Sequence, residues 1–132
     1  MLRAIPLLVI PLILYNIGLV VEPGGTSLWQ HELFSLRMMS GGIWTMTMGD
    51  ALIVVTLVFL FIEIIKSTRT SNASIVDHLL STFVFVAYLV EFLLVQNAAH
   101  QVFFILMVIT LIDVLAGFSV SLRAAGRDVN FG

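Results

Sequence analysis

The chain contains 132 residues, of which 60% are hydrophobic and 11% are charged, and its net charge is −2. A soluble domain usually carries about 25% charged residues, so this composition predicts one all-α domain immersed in a lipid bilayer. The chain has no cysteine, which excludes disulfides, thiol redox chemistry and cysteine-bound metal centres, and it has no basic patch of the kind that binds nucleic acid.

The first predicted element is a membrane-spanning helix over residues 4–21. No small-x-small cleavage motif follows it before the Glu-Pro-Gly-Gly sequence at 22–25, so we expect it to be retained rather than cleaved as a signal peptide. Pro6 and Pro11 are compatible with a membrane helix, because neighbouring helices can satisfy the carbonyl groups that a proline leaves unbonded. Asn16 is the one polar residue deep in this span.

The second predicted element is a short interfacial helix within the external segment, residues 22–42. Ser27 and Gln30 have the spacing of a capping box, and the paired glycines at 41–42 would end the helix. The apolar residues that would share its lipid-facing side are Trp29, Leu33 and Leu36.

Four methionines lie around the end of this segment: Met38, Met39, Met46 and Met48. On the external side of a membrane, thioether sulfurs could bind Cu(I). We favour the alternative that they are adaptable packing residues where the chain enters the bilayer, because no cysteine and no second methionine cluster accompanies them. We therefore predict no metal site and no cofactor.

Three further spans are predicted at residues 43–65, 75–95 and 102–122, each near the 20 residues that a helix needs to cross a bilayer. The loop at 66–74 is short, as expected between antiparallel neighbours. The tail at 123–132 begins with an Ala-Ala-Gly sequence that is typical of a helix end. The whole pattern predicts an antiparallel four-helix transmembrane bundle.

Basic residues predict the orientation of these spans. In the four-span arrangement Arg37 lies on the side of the external segment, and the other basic residues lie on the opposite side: Arg3, Lys66, Arg69, Arg123 and Arg127. By the positive-inside rule both termini and the short loop face the cytoplasm.

Polar residues within the spans are the candidate functional groups, because ionisable side chains inside a membrane are costly and usually mark a pathway or a pairing partner. At about 100° per residue, one face of the third span carries Asp77, Ser81, Tyr88 and Glu91. One face of the fourth span carries Thr110, Asp113, Gly117 and Ser121. We expect both faces to point into the bundle.

These faces have two possible uses. The first is helix packing through small and hydroxyl residues, for which the candidates are Gly117, Ser121, Ser81 and Thr110. The second is an ion relay, for which the candidates are Glu91, Asp113, Tyr88, Asp50 and Asn16. We favour packing. For Glu63 and Asp77, which lie near the cytoplasmic ends of their spans, we expect ion pairs with Lys66, Arg69 or His78.

Two runs of sequence carry a resemblance to a family. The run GDALIVVTLVFLFIEIIKSTRTSNASIVDHLLSTFVFVAYLVEFLLV and the ending DVLAGFSVSLRAAGRDV resemble a group of small four-span proteins of the bacterial inner membrane. The resemblance implies a location and no activity, ligand or catalytic residue.

The expected function is that of an accessory, assembly or interaction subunit, which contacts other membrane proteins or a second copy of itself. The alternative is a proton- or cation-coupled carrier or channel that uses the intramembrane carboxylates. We do not expect an enzyme, because His31, Glu32, Glu91 and His100, which could meet on the external side, follow no recognised metal-ligand spacing. Haem is not expected either, since all three histidines lie at the ends of spans.

Overall fold

A computed structural model describes residues 6–21, 27–67 and 72–131 of the protein. These residues form mostly helix with one small sheet. In chain order the elements are α1 (Val9–Val21), α2 (Ser27–Gln30), β1 (Glu32–Arg37), β2 (Ile43–Thr47), α3 (Met48–Lys66), α4 (Asn72–Leu94), a 3-10 turn (Gln96–Ala98) and α5 (Gln101–Phe131).

Three helical segments are long and apolar enough to cross a membrane: Met48–Lys66, Ile75–Leu94 and Gln101–Val120. They confirm a membrane protein and the approximate position of the last three predicted spans. The helix α1 has 13 residues, which corresponds to about 20 Å, and the first two residues of the predicted first span lie outside the described residues. The four-span bundle therefore remains a prediction.

The last helix is longer than the sequence predicts. α5 continues through residues 123–131, where we expected it to end after Leu122. Alanine and arginine are strong helix formers, and a single glycine in a helix costs only about 1 kcal/mol, so the Ala-Ala-Gly-Arg sequence does not terminate the helix.

The predicted interfacial helix is wrong beyond its first turn. Only Ser27–Gln30 is helical, and the chain then forms an antiparallel hairpin in which β1 pairs with β2. Gly41, at a φ of +91°, makes the reversal possible because this left-handed region favours glycine. The Met38 backbone N–H donates to the Gly42 carbonyl at 2.7 Å and closes the turn. Leu33 and Leu36 lie in a strand, so they do not share a helical face.

Because residues 43–47 form strand β2, the helix of the second predicted span begins at residue 48 instead of the predicted residue 43. Thr47 and Asp50 form a capping box: the Asp50 N–H donates to Thr47 Oγ1 at 3.1 Å, and the Thr47 N–H donates to Asp50 Oδ2 at 3.2 Å. A carboxylate in the first turn also interacts favourably with the helix dipole. This cap explains why α3 begins immediately after β2.

The core is built on α5, which packs against α1, α3 and α4. Phe103, fully buried on α5, is the centre of an aromatic cluster, with ring centroids 4.9 Å from Tyr15 and 5.3 Å from Tyr88. Trp29 of α2 stacks on Tyr15 at 5.4 Å and is only 6% exposed. The one-turn helix α2 is therefore part of the core.

Two glycines make room for this tryptophan segment. A Cβ on Gly18 of α1 would lie 2.5 Å from Trp29 Cζ2, and a Cβ on Gly49 of α3 would lie 2.8 Å from the Trp29 carbonyl oxygen. Larger residues at either position would push α2 outward. The contacts of Trp29 with both glycines hold the end of α1 beside the start of α3.

Candidate functional site

Polar side chains from α3, α4 and α5 meet where α3 ends and α4 begins, and we call this group the polar cavity. Its residues are Glu63, Lys66, Ser67, Asp77, His78, Ser81, Asp113 and Gly117. The space between them that can hold the centre of a water molecule is about 10 Å³, enough for one water. Three carboxylates, one lysine and one imidazole thus surround a space within the helical bundle that is large enough for one water molecule.

Glu63 is the most connected residue of the polar cavity. Its side chain is 5% exposed, and Oε1 accepts hydrogen bonds from the Leu7 backbone N–H at 2.9 Å and from Lys66 Nζ at 3.2 Å. The Lys66 contact confirms the ion pair expected from the sequence. The Leu7 contact was not expected, and it places the carboxylate at the start of α1, where unbonded N–H groups favour a negative charge.

Asp113 is the second buried carboxylate, also 5% exposed. The Ser81 hydroxyl of α4 lies within hydrogen-bonding reach of it, and the charges of Glu63 and Lys66 are close enough to interact with it. Lys66 forms its ion pair with Glu63, and its charge also acts on Asp113. Asp77 Oδ1 is buried as well and has no hydrogen-bond partner among the described residues.

Gly117 allows the imidazole of His78 to lie against α5. A Cβ at this position would be 2.8 Å from His78 Nδ1, and the ring of the next residue, Phe118, lies 5.6 Å from the imidazole. The sequence suggested that Gly117 and Ser121 act together in helix packing. The side chain of Ser121 lies outside the described residues, and Gly117 makes its close approach to a histidine side chain.

A second group of polar contacts attaches α1 to α4, and we call it the α1 clasp. Asn16 Nδ2 donates to Glu91 Oε1 at 3.0 Å and to the Leu12 carbonyl at 2.8 Å. The Tyr88 hydroxyl donates to the Leu8 carbonyl at 2.9 Å. These bonds attach α1 to α4, whereas its backbone packs mainly against α2 and α5.

A further hydrogen bond attaches the middle of α1, next to Asn16, to the turn before α5. The fully buried Tyr15 donates its hydroxyl to the Asn97 carbonyl in the 3-10 turn at 3.1 Å. Hydrogen bonds of this kind between membrane helices contribute about 0.6–2 kcal/mol each.

The structure separates the two carboxylates that the relay alternative would bring together. Glu91 belongs to the α1 clasp and Asp113 to the polar cavity, and the hydroxyl of Tyr88 donates to a backbone carbonyl rather than connecting the two. Asn16 contacts Glu91, whereas Asp50 caps α3 at an exposed position. The carboxylates of the relay alternative therefore lie in different surroundings.

The inward orientation is confirmed for the central residues of the two polar faces, whereas Asp77 and Glu91 are half-buried and the side chain of Ser121 lies outside the described residues. Ser81 and Tyr88 on α4 and Thr110, Asp113 and Gly117 on α5 are all buried. Thr110 donates its hydroxyl to the Met107 carbonyl within its own helix at 2.6 Å. This hydrogen bond lies within α5, so through it Thr110 does not link two helices.

Sequence reasoning missed Glu63 and Trp29 as organising residues. Glu63 was assigned to an interfacial ion pair alone, because its partner on α1 is a backbone N–H that no sequence pattern displays. Trp29 had a readable signal, since small residues at Gly18 and Gly49 lie at the ends of the two adjoining spans and leave room for one large ring.

Within the part of the chain that the structure describes, no three histidine, aspartate or glutamate side chains are grouped so that they could hold a metal ion. The four methionines do not form one cluster. Met39 is fully exposed at the hairpin turn and Met48 packs against the core at its base, with β2 between them over about 16 Å.

No protein family, curated protein or solved structure matches this chain. The resemblance to small four-span inner-membrane proteins therefore stays a prediction.

Proposed function

We propose that this protein is a non-enzymatic interaction subunit of a bacterial inner-membrane complex, with four spans and both termini in the cytoplasm. The observation that carries the proposal is the hairpin β1–β2, which presents an apolar face outside the helical bundle. All six residues of β1 are exposed. The partner that we propose is the external segment of another membrane protein.

The contacts of α1 support a fourth crossing. The turn before α1 meets Glu63 one turn from the end of α3, and Gly18 near the end of α1 shares Trp29 with Gly49 at the start of α3. The segment that contains α1 thus lies along α3 from residue 63 to residue 49. If α3 crosses the bilayer, this segment crosses it in the opposite direction.

The hairpin has two different faces. Phe34 pairs with Met46 and Leu36 pairs with Trp44, and the rings of Phe34 and Trp44 make an edge contact at 5.3 Å. The opposite face carries the pair Ser35 and Thr45, whose hydroxyls lie 2.8 Å apart, and the pair Arg37 and Ile43, so it is of mixed character rather than apolar throughout.

Such a hairpin needs a further contact. A two-stranded sheet is marginally stable in water, and each strand has one backbone edge that the other strand does not pair. An added strand from a partner protein would satisfy such an edge and would cover the apolar face at the same time. A lipid surface could cover the apolar side chains but would not pair the backbone.

Recovery of the tagged protein from native membranes, followed by mass spectrometry, tests this proposal. We expect stoichiometric recovery of another membrane protein, reduced at least severalfold by Leu36→Ser. Arg37→Ser, one residue further and on the opposite face, is the matched control and should leave recovery unchanged. Equal recovery with both variants would show that the apolar face does not bind the partner.

A second candidate is a proton- or cation-coupled carrier, and the polar cavity favours it. The observation is that Asp113, Glu63 and Asp77 surround space for one water inside the bundle. Liposomes that contain the purified protein should then show a flux that Asp113→Asn abolishes. Asp50→Asn, which changes an exposed carboxylate outside the cavity, is the control. Vesicles without flux under proton, sodium and potassium gradients would eliminate this candidate.

A further inference from the structure

The hairpin β1–β2 has two outer backbone edges, and its hydrogen bonds show which groups lie along them. The Met38 N–H donates to the Gly42 carbonyl, so these two residues form a hydrogen-bonded pair. Hydrogen-bonded and non-hydrogen-bonded pairs alternate along an antiparallel ladder, and the backbone groups of a non-hydrogen-bonded pair point away from the partner strand. The non-hydrogen-bonded pairs are Arg37 with Ile43 and Ser35 with Thr45.

The edge of β1 carries features by which proteins prevent the addition of another strand. A bulge at Leu33 interrupts the pairing between Glu32 and Phe34. Charged side chains lie at both ends of the strand, Glu32 at its start and Arg37 at its end, and both are exposed. Bulges and exposed charges are common on edge strands that stay unpaired. The edge of β1 is therefore protected against a further strand.

The edge of β2 lacks this protection. Its sequence Ile-Trp-Thr-Met-Thr contains no charge and no proline, and residues 43, 45 and 47 are β-branched, which favours a strand. Ile43 and Thr45, whose backbone groups point outward, are both exposed. The edge ends at Thr47, because its N–H donates to the Asp50 carboxylate in the cap of α3. An uncharged, exposed edge of this kind is a template for strand addition.

We propose that the partner of the hairpin adds one extended segment to the edge of β2 and bonds to the backbone groups of Ile43 and Thr45. This assignment rests on the function proposed above and adds the contact through which the partner binds. The segment is uncharged where it lies beside Trp44 and Met46, because a charge there would lose water without gaining an opposite charge. The sheet then has the order β1, β2, partner strand. The protected edge of β1 stays outside, so the hairpin accepts a strand on one side only.

Hydrogen exchange of the recovered complex, resolved to single amides, tests the proposal on the unaltered protein. An N–H that bonds to another strand exchanges slowly, whereas an edge N–H that faces water exchanges fast. We expect the N–H groups of Ile43 and Thr45 to exchange about tenfold more slowly in the complex than in the protein alone. Those of Ser35 and Arg37 should exchange at the same rate in both. Protection of Ser35 and Arg37 instead, or of neither pair, would overturn the proposal.

Thr45→Pro and Ser35→Pro are a matched pair of variants. The two residues face each other, and each substitution removes one hydroxyl of the same contact and one outward N–H. Proline is tolerated at such edge positions, because the hairpin itself loses no ladder hydrogen bond. We expect Thr45→Pro to reduce recovery of the partner about fivefold and Ser35→Pro to leave it unchanged.

The outcomes separate this proposal from the function on which it rests. If a partner is recovered and Ser35→Pro alone reduces its recovery, the assignment to β2 is wrong and the proposed function stands. If the unaltered protein recovers no partner, both are wrong. Recovery of only a differently tagged copy of this chain would also overturn the proposal, because a second β2 would then occupy the edge.

Discussion

Glu63 joins two parts of the molecule through one oxygen atom. Oε1 accepts from the Leu7 N–H at the start of α1 and from Lys66 Nζ on its own helix. A buried acceptor of this kind is costly to remove, because both donors then lose a partner in a region with little water. For this residue the sequence predicted the ion pair with Lys66 within α3, but it could not predict the hydrogen bond from the Leu7 backbone at the start of α1.

We therefore expect Glu63→Ala to lower the free energy of unfolding by about 2 kcal/mol. Glu63→Gln keeps an acceptor oxygen for Leu7 and loses only the charge, so its effect should be about half as large. Unfolding of the detergent-solubilised protein by a denaturing detergent, followed by circular dichroism, measures both. Equal losses for the two variants would mean that the hydrogen bond to Leu7 does not stabilise α1.

Gly117 gives a second prediction for a single residue. Gly117→Ala would place a Cβ 2.8 Å from His78 Nδ1, so the imidazole must move away from α5. We expect a destabilisation of about 1–3 kcal/mol, as for other overpacked positions. Ser119→Ala, on the exposed side of α5, should change the stability by less than about 0.5 kcal/mol in the same assay.

Among the elements, the hairpin shows most clearly where sequence reasoning fails. Trp29, Leu33 and Leu36 fit the spacing of a helix. Phe34 and Leu36 also fit the alternation of a strand, in which Phe34 pairs with Met46 and Leu36 pairs with Trp44. A short segment can match both periods, and pairing with a second strand decides between them. The long helices were predicted more accurately, because about 20 consecutive apolar residues have few other structures available in a membrane protein.

The turn of the hairpin offers a matched pair of glycines. Gly41 has a φ of +91°, whereas Gly42 does not have a positive φ, and a Cβ added to Gly42 would meet only the Ser40 hydroxyl, at 3.5 Å. We expect Gly41→Ala to destabilise the hairpin by about 1 kcal/mol and Gly42→Ala to have a much smaller effect. Faster amide hydrogen exchange over residues 32–47 in Gly41→Ala alone would confirm this; the same rate in both variants would show that the turn does not limit hairpin stability.

For the whole molecule, the sequence predicted membrane insertion and the inward direction of the polar faces, but not which polar groups meet. The side chains of Asp113 and Glu91 both point inward. Asp113 lines the polar cavity together with Glu63, whereas Glu91 accepts a hydrogen bond from Asn16. Their partners depend on the rotation and tilt of each helix relative to its neighbours. A one-dimensional pattern gives the face of a helix and leaves these two quantities open.

The proposed topology can be tested because the chain has no native cysteine. A cysteine introduced at Ser40 in the hairpin should react with a membrane-impermeant maleimide in intact cells. A cysteine at Leu122, which is exposed near the opposite end of the bundle, should react only after the membrane is opened. Labelling of both positions in intact cells would contradict an orientation with the hairpin outside and the end of α5 inside.

The most direct test of the proposed interaction subunit is site-specific photo-crosslinking from the hairpin in native membranes. A photoreactive amino acid replaces Phe34 on the apolar face in one protein and Ser35 on the opposite face in the other. We expect one defined protein adduct from position 34 and little or none from position 35. Adducts to lipid alone, or the same yield of protein adduct from both positions, would contradict it.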